Sequence, residues 1–265
     1  MLVYQVTGII NFAQGEFVML GALGFALLRE ADMPLLLAAT VAIAGTVLAG
    51  LLVERLAIAP ARSATHTRLI ILTIGAAITI QGLALVFFGT GPHFAPNFTE
   101  GEPINLGGVV ILSQYLWVVG LTALSVVALW YFLTSTMTGR AMRAVAMNKE
   151  AARSVGISPS RMSMLAFMLA AGLGAVAGVV LAPLQAPDSG IGIALGLKGF
   201  TAAVVGGLHS PAGAVVGGLA IGVVESVAAG YLPSGYKDAI TFGLLFLVLL
   251  VRPQGLLRSV QAARV

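Results

Sequence analysis

The sequence predicts an all-α integral membrane protein, a polytopic helical bundle of about eight spans within a single domain, residues 1–265. Three observations predict it. The chain is 58% hydrophobic and only 9% charged, with a mean hydropathy of +1.01. A soluble domain needs roughly 25% charged residues for its surface alone. Apolar runs recur along the chain, most of them near the roughly 20 residues a helix needs to cross hydrocarbon. The basic residues gather in alternate loops, as they do when a bundle has a fixed orientation. The 33 glycines fit the same class, because helices in lipid pack through small residues.

The elements follow in order. Met1–Ile10 is a short apolar piece and Gly15–Leu28 a second run. Pro34–Val53, Leu69–Gly89, Tyr115–Thr134 and Met162–Ala182 come next. A weaker run, Ile191–Leu208, precedes Pro211–Gly230 and Ala239–Val251. The loop Gly91–Gly108, with Pro92, Pro96 and Pro103, is long enough for a small extramembrane feature but not for a domain. Met1–Ile10 makes only about 15 Å of helix, too short to cross. Either the first helix is half-length or the chain as given starts late. No Lys or Arg precedes Arg29, so a signal peptide with a basic leading region is not supported.

Arg55, Arg62 and Arg68 share one loop, Arg140, Arg143, Lys149, Arg153 and Arg161 another, and Arg252, Arg258 and Arg264 the tail. Placing these in the cytoplasm puts 11 of the 14 basic residues inside and the C-terminus inside with them. The opposite loops carry only Arg29 and Lys237, and Glu100 with Glu102 marks the outer side. The pI near 9.8 is therefore topology and carries no hint of nucleic acid. There is no cysteine, which removes disulfides and thiol chemistry. His66, His93 and His209 lie far apart and form no metal-ligand pattern; they read as loop or helix-end residues. No cofactor is implied.

Three segments carry more than composition. Thr138–Ile157 is a stretch of good helix formers with Gly156 suited to the position after a helix end and Pro159 to a stop beyond it. Its alanines, among them Ala141, Ala144 and Ala151, allow a shallow seat in a partner's groove. Arg140 and Arg143, one turn apart, offer cationic contacts, and Glu150 follows. In the second segment, Gly8–Phe17, Asn11 can cap the next helix, with Gln14 in a capping-box relation and Glu16 favoured by the helix dipole. The third runs from Lys198 to Gly218, where Gly213/Gly217 pairs two glycines on one helix face, as Gly218/Gly222 and Gly174/Gly178 do.

In order and spacing, Gly139-Arg140-Ala141, Arg143-Ala144, Glu150-Ala151-Ala152 and Gly156-Ile157 resemble the cytoplasmic coupling loop of ABC importer permeases. Asn11-Phe12-Ala13-Gln14-Gly15-Glu16-Phe17 is similar to the signature near the start of the branched-chain amino acid permeases. Lys198-Gly199-Phe200, Tyr236-Lys237-Asp238 and Arg252-Pro253-Gln254-Gly255 resemble the same family, and the Phe12-Ala13-Gln14-Gly15-Glu16 and Lys198-Gly199-Phe200 versions resemble its H-type subunit. That family has a full helix before Asn11, most of which is missing here. The resemblance implies a permease subunit that pairs with a second, homologous permease. Two cytoplasmic ATPases and a periplasmic substrate-binding protein complete the importer, in a bacterial inner membrane. It further implies alternating access, with ATPase closure moving the coupling loop.

The residues agree with that division of labour. A P-loop ends Gly-Lys-Ser/Thr, and the lysines here precede Glu150, Gly199 and Asp238, so ATP hydrolysis is expected in partners and the chain is not itself an enzyme. A self-sufficient secondary transporter or channel is the rival class. It would need several ionisable residues at mid-membrane for ion coupling, and only Lys198 and Glu225 are available, with Gln81 as a further polar site. Within the family, urea, amides or other amino acids are alternative cargoes. Lys198 and Glu225 lie on neighbouring antiparallel spans at similar depth, so an ion pair between them is expected to offset part of the cost of burying each charge. The alternative is that each charge separately reaches the outer interface.

Overall fold

Lipid replaces water as the outer solvent, and the surface of the molecule is built accordingly. The computed structural model describes residues 1–62, 64–99, 101, 103–106, 109–208, 210–231, 233, 236–252 and 255. Glu100, Glu102, His209, Pro253, Gln254, Arg258 and Arg264 lie outside the described residues, as do the side chains of Lys237 and Asp238. Helices follow in the order α1 (Leu2–Thr7), α2 (Gln14–Glu30), α3 (Leu35–Leu52), α4 (His66–Phe88), α5 (Ser113–Ser135), α6 (Met137–Met147) and α7 (Lys149–Ser154). Then come α8 (Pro159–Gln185), α9 (Ile191–Gly206), α10 (Pro211–Tyr231) and α11 (Lys237–Val251). A π-helical turn, Val53–Ile58, prolongs α3.

Among the described residues, five stretches are long and apolar enough to cross a membrane: Leu35–Ile58, His66–Phe88, Ser113–Ser135, Pro159–Gln185 and Pro211–Tyr231. Helices Ile191–Gly206 and, within α11, Ala239–Val251 are apolar but shorter. Together with α2, these are the eight expected runs, each found as a helix within a few residues of its expected bounds. The chain is an all-α polytopic membrane protein. Its outer helices expose large apolar side chains, among them Leu36, Val86, Phe87, Trp130 and Leu250, which suits a hydrocarbon solvent.

The centre is α8, which packs against α1, α2, α3, α5 and α6. Small residues set the distance. A Cβ at Gly178 would lie 2.1 Å from the Val18 carbonyl oxygen and one at Gly21 2.5 Å from the Ala175 Cα, so α2 and α8 touch backbone to backbone. The contacts advance together, from Gln14 at Ala170 to Val18 and Ala22 at Gly178, so the two helices run parallel. Helix α9 runs the other way along α2, from Ile191 near Met19 and Leu23 to Phe200 near Phe12. Gly213 and Gly217 seat α10 on α9 at Gly206 and Ala202, and Gly174 with Gly178 seats α8 on α2. The pair Gly218/Gly222 behaves differently: Gly218 touches Ala202, while Gly222 has open space.

The loop Gly91–Gly108 leads into a small antiparallel hairpin, β1 (Ile104–Leu106) with β2 (Val109–Ile111), paired Ile104 to Ile111 and Asn105 to Val110. Phe98 anchors the loop edge-on against Phe25 and Trp117. Gln114, buried, accepts from the Phe98 N–H and donates to the Val180 carbonyl.

Candidate functional site

Two regions gather the residues that the sequence singled out. The first is the segment after α5. It is two helices, where the sequence suggested one stretch ended by Gly156. Thr136 caps α6 by accepting from the Gly139 N–H at 3.0 Å. Asn148 then breaks the run and caps α7 by accepting from Glu150 and Ala151, each at 3.0 Å. Gly139 has a steric role of its own: a Cβ there would sit 2.1 Å from the Phe132 carbonyl oxygen, so glycine lets α6 fold back on the end of α5.

Helix α7 closes with the Gly156 N–H on the Arg153 carbonyl and the Ile157 N–H on the Ala152 carbonyl, both 2.9 Å. This double closure is the Schellman arrangement, and Gly156 supplies its left-handed residue at φ +83°. Pro159 does not stop α7; it is the first residue of α8, where its missing N–H is harmless. Met142, Val145 and Ala152 are buried in one cluster with Val3, Val6, Ala166 and Phe167, which bolts α6 and α7 onto α1 and α8. Lys149 Nζ adds a tie to the Thr7 carbonyl at 2.8 Å, and burial, with Arg153 nearby, lowers its pKa. The opposite face is open. It presents Arg140, Arg143, Glu150, Ala151 and Arg153 with the bare apolar tips of Met137, Met147 and Val155, while Ala141 and Ala144 are half-buried.

The second region is the turn before α2. Asn11 does not cap α2, and Gln14 forms no capping box. The cap position is Ala13, and Asn11 Oδ1 instead accepts from the Ala13 N–H at 3.1 Å in a local turn. Gln14 is drawn away to the Ala170 carbonyl at 2.9 Å. Phe12 donates its N–H to Thr73 Oγ1 at 3.3 Å. Ala170 lies about 16 Å along α8 from Pro159, and Thr73 about 10 Å along α4 from His66, at 1.5 Å per residue. The turn therefore reaches into the bundle, above the starts of both helices. Gly15 lies against Gly192 and Gly196 of α9, where a Cβ would meet the Gly192 carbonyl oxygen at 2.0 Å.

Glu16 is 2% exposed, and its carboxylate rests on Gly192 in the first turn of α9. Among the described residues its Oε2 has no hydrogen-bond partner, and neither has the buried Asn11 Nδ2. Both residues line a cavity of about 870 Å³, together with Phe12, Gln14, Gly15 and Gln81. The signature turn and Gln81 thus share one cavity, which the sequence did not reveal.

Lys198 and Glu225 stand apart from both regions. Lys198 Nζ lies 3.0 Å from Glu225 Oε1, and the hydroxyl of Thr241 on α11 donates to the same oxygen. Thr241 was not foreseen, because nothing in sequence spacing registers α11 against α10. Two further features went unread. Glu54, fully buried in the π-helical turn, pairs with Arg62, which also holds Ser160 at the start of α8. At the end of α2, Glu30 accepts from the Phe94 N–H at 2.9 Å and pairs with His93 Nδ1 at 2.9 Å. That hydrogen bond raises the pKa of His93 above the usual imidazole value.

The chain is similar over its full length to known permeases. It is 35% identical to the high-affinity branched-chain amino acid transport system permease protein LivH of Salmonella typhimurium, covering 100% of this chain and 90% of the relative. It is likewise 35% identical to the corresponding protein BraD of Pseudomonas aeruginosa, over 100% of this chain and 91% of that one. The L-arabinose ABC transporter permease protein AraH of Azospirillum brasilense is 30% identical over 68% of this chain and 55% of its own length. No solved structure matches. Residues 1–249 match the family described as branched-chain amino acid transport system / permease component, and the chain belongs to that family.

Proposed function

We propose that this chain is one of two homologous permease subunits of a bacterial ABC importer and forms part of the inner-membrane path for branched-chain amino acids. Its C-terminus faces the cytoplasm. Two cytoplasmic ATPase subunits dock on α6 and α7, and a periplasmic substrate-binding protein delivers cargo from the other side. The observation that carries the reading is the two-sided build of α6–α7. One face is locked into the α1–α8 core through Met142, Val145 and Ala152. The other offers Arg140, Arg143 and Arg153 among exposed Met137, Met147 and Val155, a mixture of cationic and apolar contacts suited to a protein partner. A face of that kind transmits force only if its base is rigid, and the caps at Thr136, Asn148 and Gly156 supply that rigidity. The 35% identity to the branched-chain amino acid permeases over the full chain supports the cargo class.

The test is uptake of L-leucine by proteoliposomes holding this chain with its co-expressed partners. ATP-dependent uptake is expected. Replacing Arg140 and Arg143 together by Glu should lower permease-stimulated ATP hydrolysis roughly tenfold, the loss expected when central cationic contacts of an interface are reversed. Membrane insertion should not change. ATPase stimulation equal to wild type would overturn the docking role.

A further inference from the structure

We propose that Glu16 and Asn11 form the polar head-group site for an α-amino acid held in the cavity between α2, α4 and α9. The inference rests on the importer reading above and gives it a place in this chain. The cavity, about 870 Å³, lies in the range of small-molecule sites. Its walls are mostly apolar, with Ile74, Ala77 and Ile78 from α4 and Leu195 and Phe200 from α9. Such walls accept a branched aliphatic side chain and offer nothing to a charged one. Among this lining stand a carboxylate oxygen and an amide nitrogen, both buried and both without a hydrogen-bond partner among the described residues.

Buried polar atoms left unpaired are costly, and native structures rarely keep them without a use. The two orphans are of opposite sense. Glu16 Oε2 can only accept from a cation or donor once ionised, and Asn11 Nδ2 can only donate. A zwitterionic amino acid carries the matching pair, an ammonium for Glu16 and a carboxylate for Asn11. The glycine at position 192 keeps this place open, since a Cβ there would sit 2.6 Å from Glu16 Oε2. The competing role for Glu16 is purely internal, as a fixed anion on the first turn of α9, where helix N–H groups favour negative charge.

The chain contains no cysteine, so a single Ala77→Cys variant gives the cavity one reactive thiol. The variant, as the full chain in lipid nanodiscs, is labelled with a small maleimide, with L-leucine or with 4-methylpentanoate, which lacks the ammonium. Leucine should slow labelling and 4-methylpentanoate should not. Adding Glu16→Gln should raise the half-protecting leucine concentration at least about tenfold, the scale of losing a hydrogen bond to a charged group. Absence of leucine protection in Ala77→Cys, equal protection by 4-methylpentanoate, or unchanged protection with Glu16→Gln would each overturn the site. If Glu16→Gln elutes as an aggregate, Glu16→Asp carries the same comparison. A carboxylate withdrawn by one methylene must then also raise that concentration, and no change overturns the proposal. Labelling needs no ATPase or binding protein, so it can fail while leucine uptake by the assembled importer succeeds, and the reverse.

Discussion

Among the described residues, His93 is the one histidine paired with a carboxylate, and its proton decides what the pair is worth. Glu30 holds His93 charged to a higher pH than a free imidazole. The stabilisation is therefore fully present below the unfolded value of about 6.5 and is lost as pH rises through the raised folded value. At the acid end, protonation of Glu30 ends it as well. A histidine NMR titration should show His93 titrating above about 6.5, and Glu30→Gln should bring it back toward that value. An unshifted His93 in both proteins would remove the latch. At this scale the sequence was only partly legible. Gly156 carried its own signal, because a helix end followed by Pro159 asks for a left-handed residue. Asn11 misled, because asparagine satisfies its own turn as readily as it caps a helix. Glu16 was unreadable, since its neighbour Gly192 is brought there only by the packing of α9 on α2.

Helices α9 and α10 show what one charge pair does for an element. They are antiparallel neighbours, the Ser210 N–H donating to the Gly207 carbonyl between them, and glycines at 206, 213 and 217 bring the backbones into contact. Lys198 and Glu225 then meet at 3.0 Å, with Thr241 tying α11 to the same oxygen. Lys198→Ala and Glu225→Ala should each destabilise the purified protein. The double variant should cost less than their sum, by on the order of 1 kcal/mol for neighbours in one network. Strict additivity in thermal unfolding would mean that the two side chains are uncoupled. The spans themselves were legible because hydropathy and length report a helix in lipid directly. The break between α6 and α7 was not, although Asn148 ahead of Lys149–Ala151 was the available cap signal. The π-helical turn at Val53–Ile58 left no trace in the apolar pattern, since one wider turn hardly changes which residues are apolar.

For the whole molecule, the proposed orientation rests on the alternation of basic loops, and the parallel course of α2 and α8 agrees with it. Met147 would stand on the cytoplasmic side and Phe94 on the outer side, both exposed. In sealed right-side-out membrane vesicles of this cysteine-free chain, Phe94→Cys should react with an impermeant maleimide. Met147→Cys should react only after the membrane is opened. The reverse pattern would invert the topology and remove α6–α7 from the cytoplasm.

Helix α8 has the proportions of a strut, about 40 Å of continuous helix at 1.5 Å per residue. Only Ile157 and Ser158 separate it from the closure of α7 at Gly156, so the lower joint has almost no slack. Near its upper end, the Val180 carbonyl is gripped by Gln114, and the Pro187 carbonyl just beyond takes the His93 N–H. A displacement delivered at α7 would run along this shaft to Val180, ahead of Pro183 in the last turns of α8, and pass through Gln114 to the Phe98 N–H. Under the docking role proposed for α6–α7, the loop around Phe98 would then act as a strain gauge for events at the other end of the bundle.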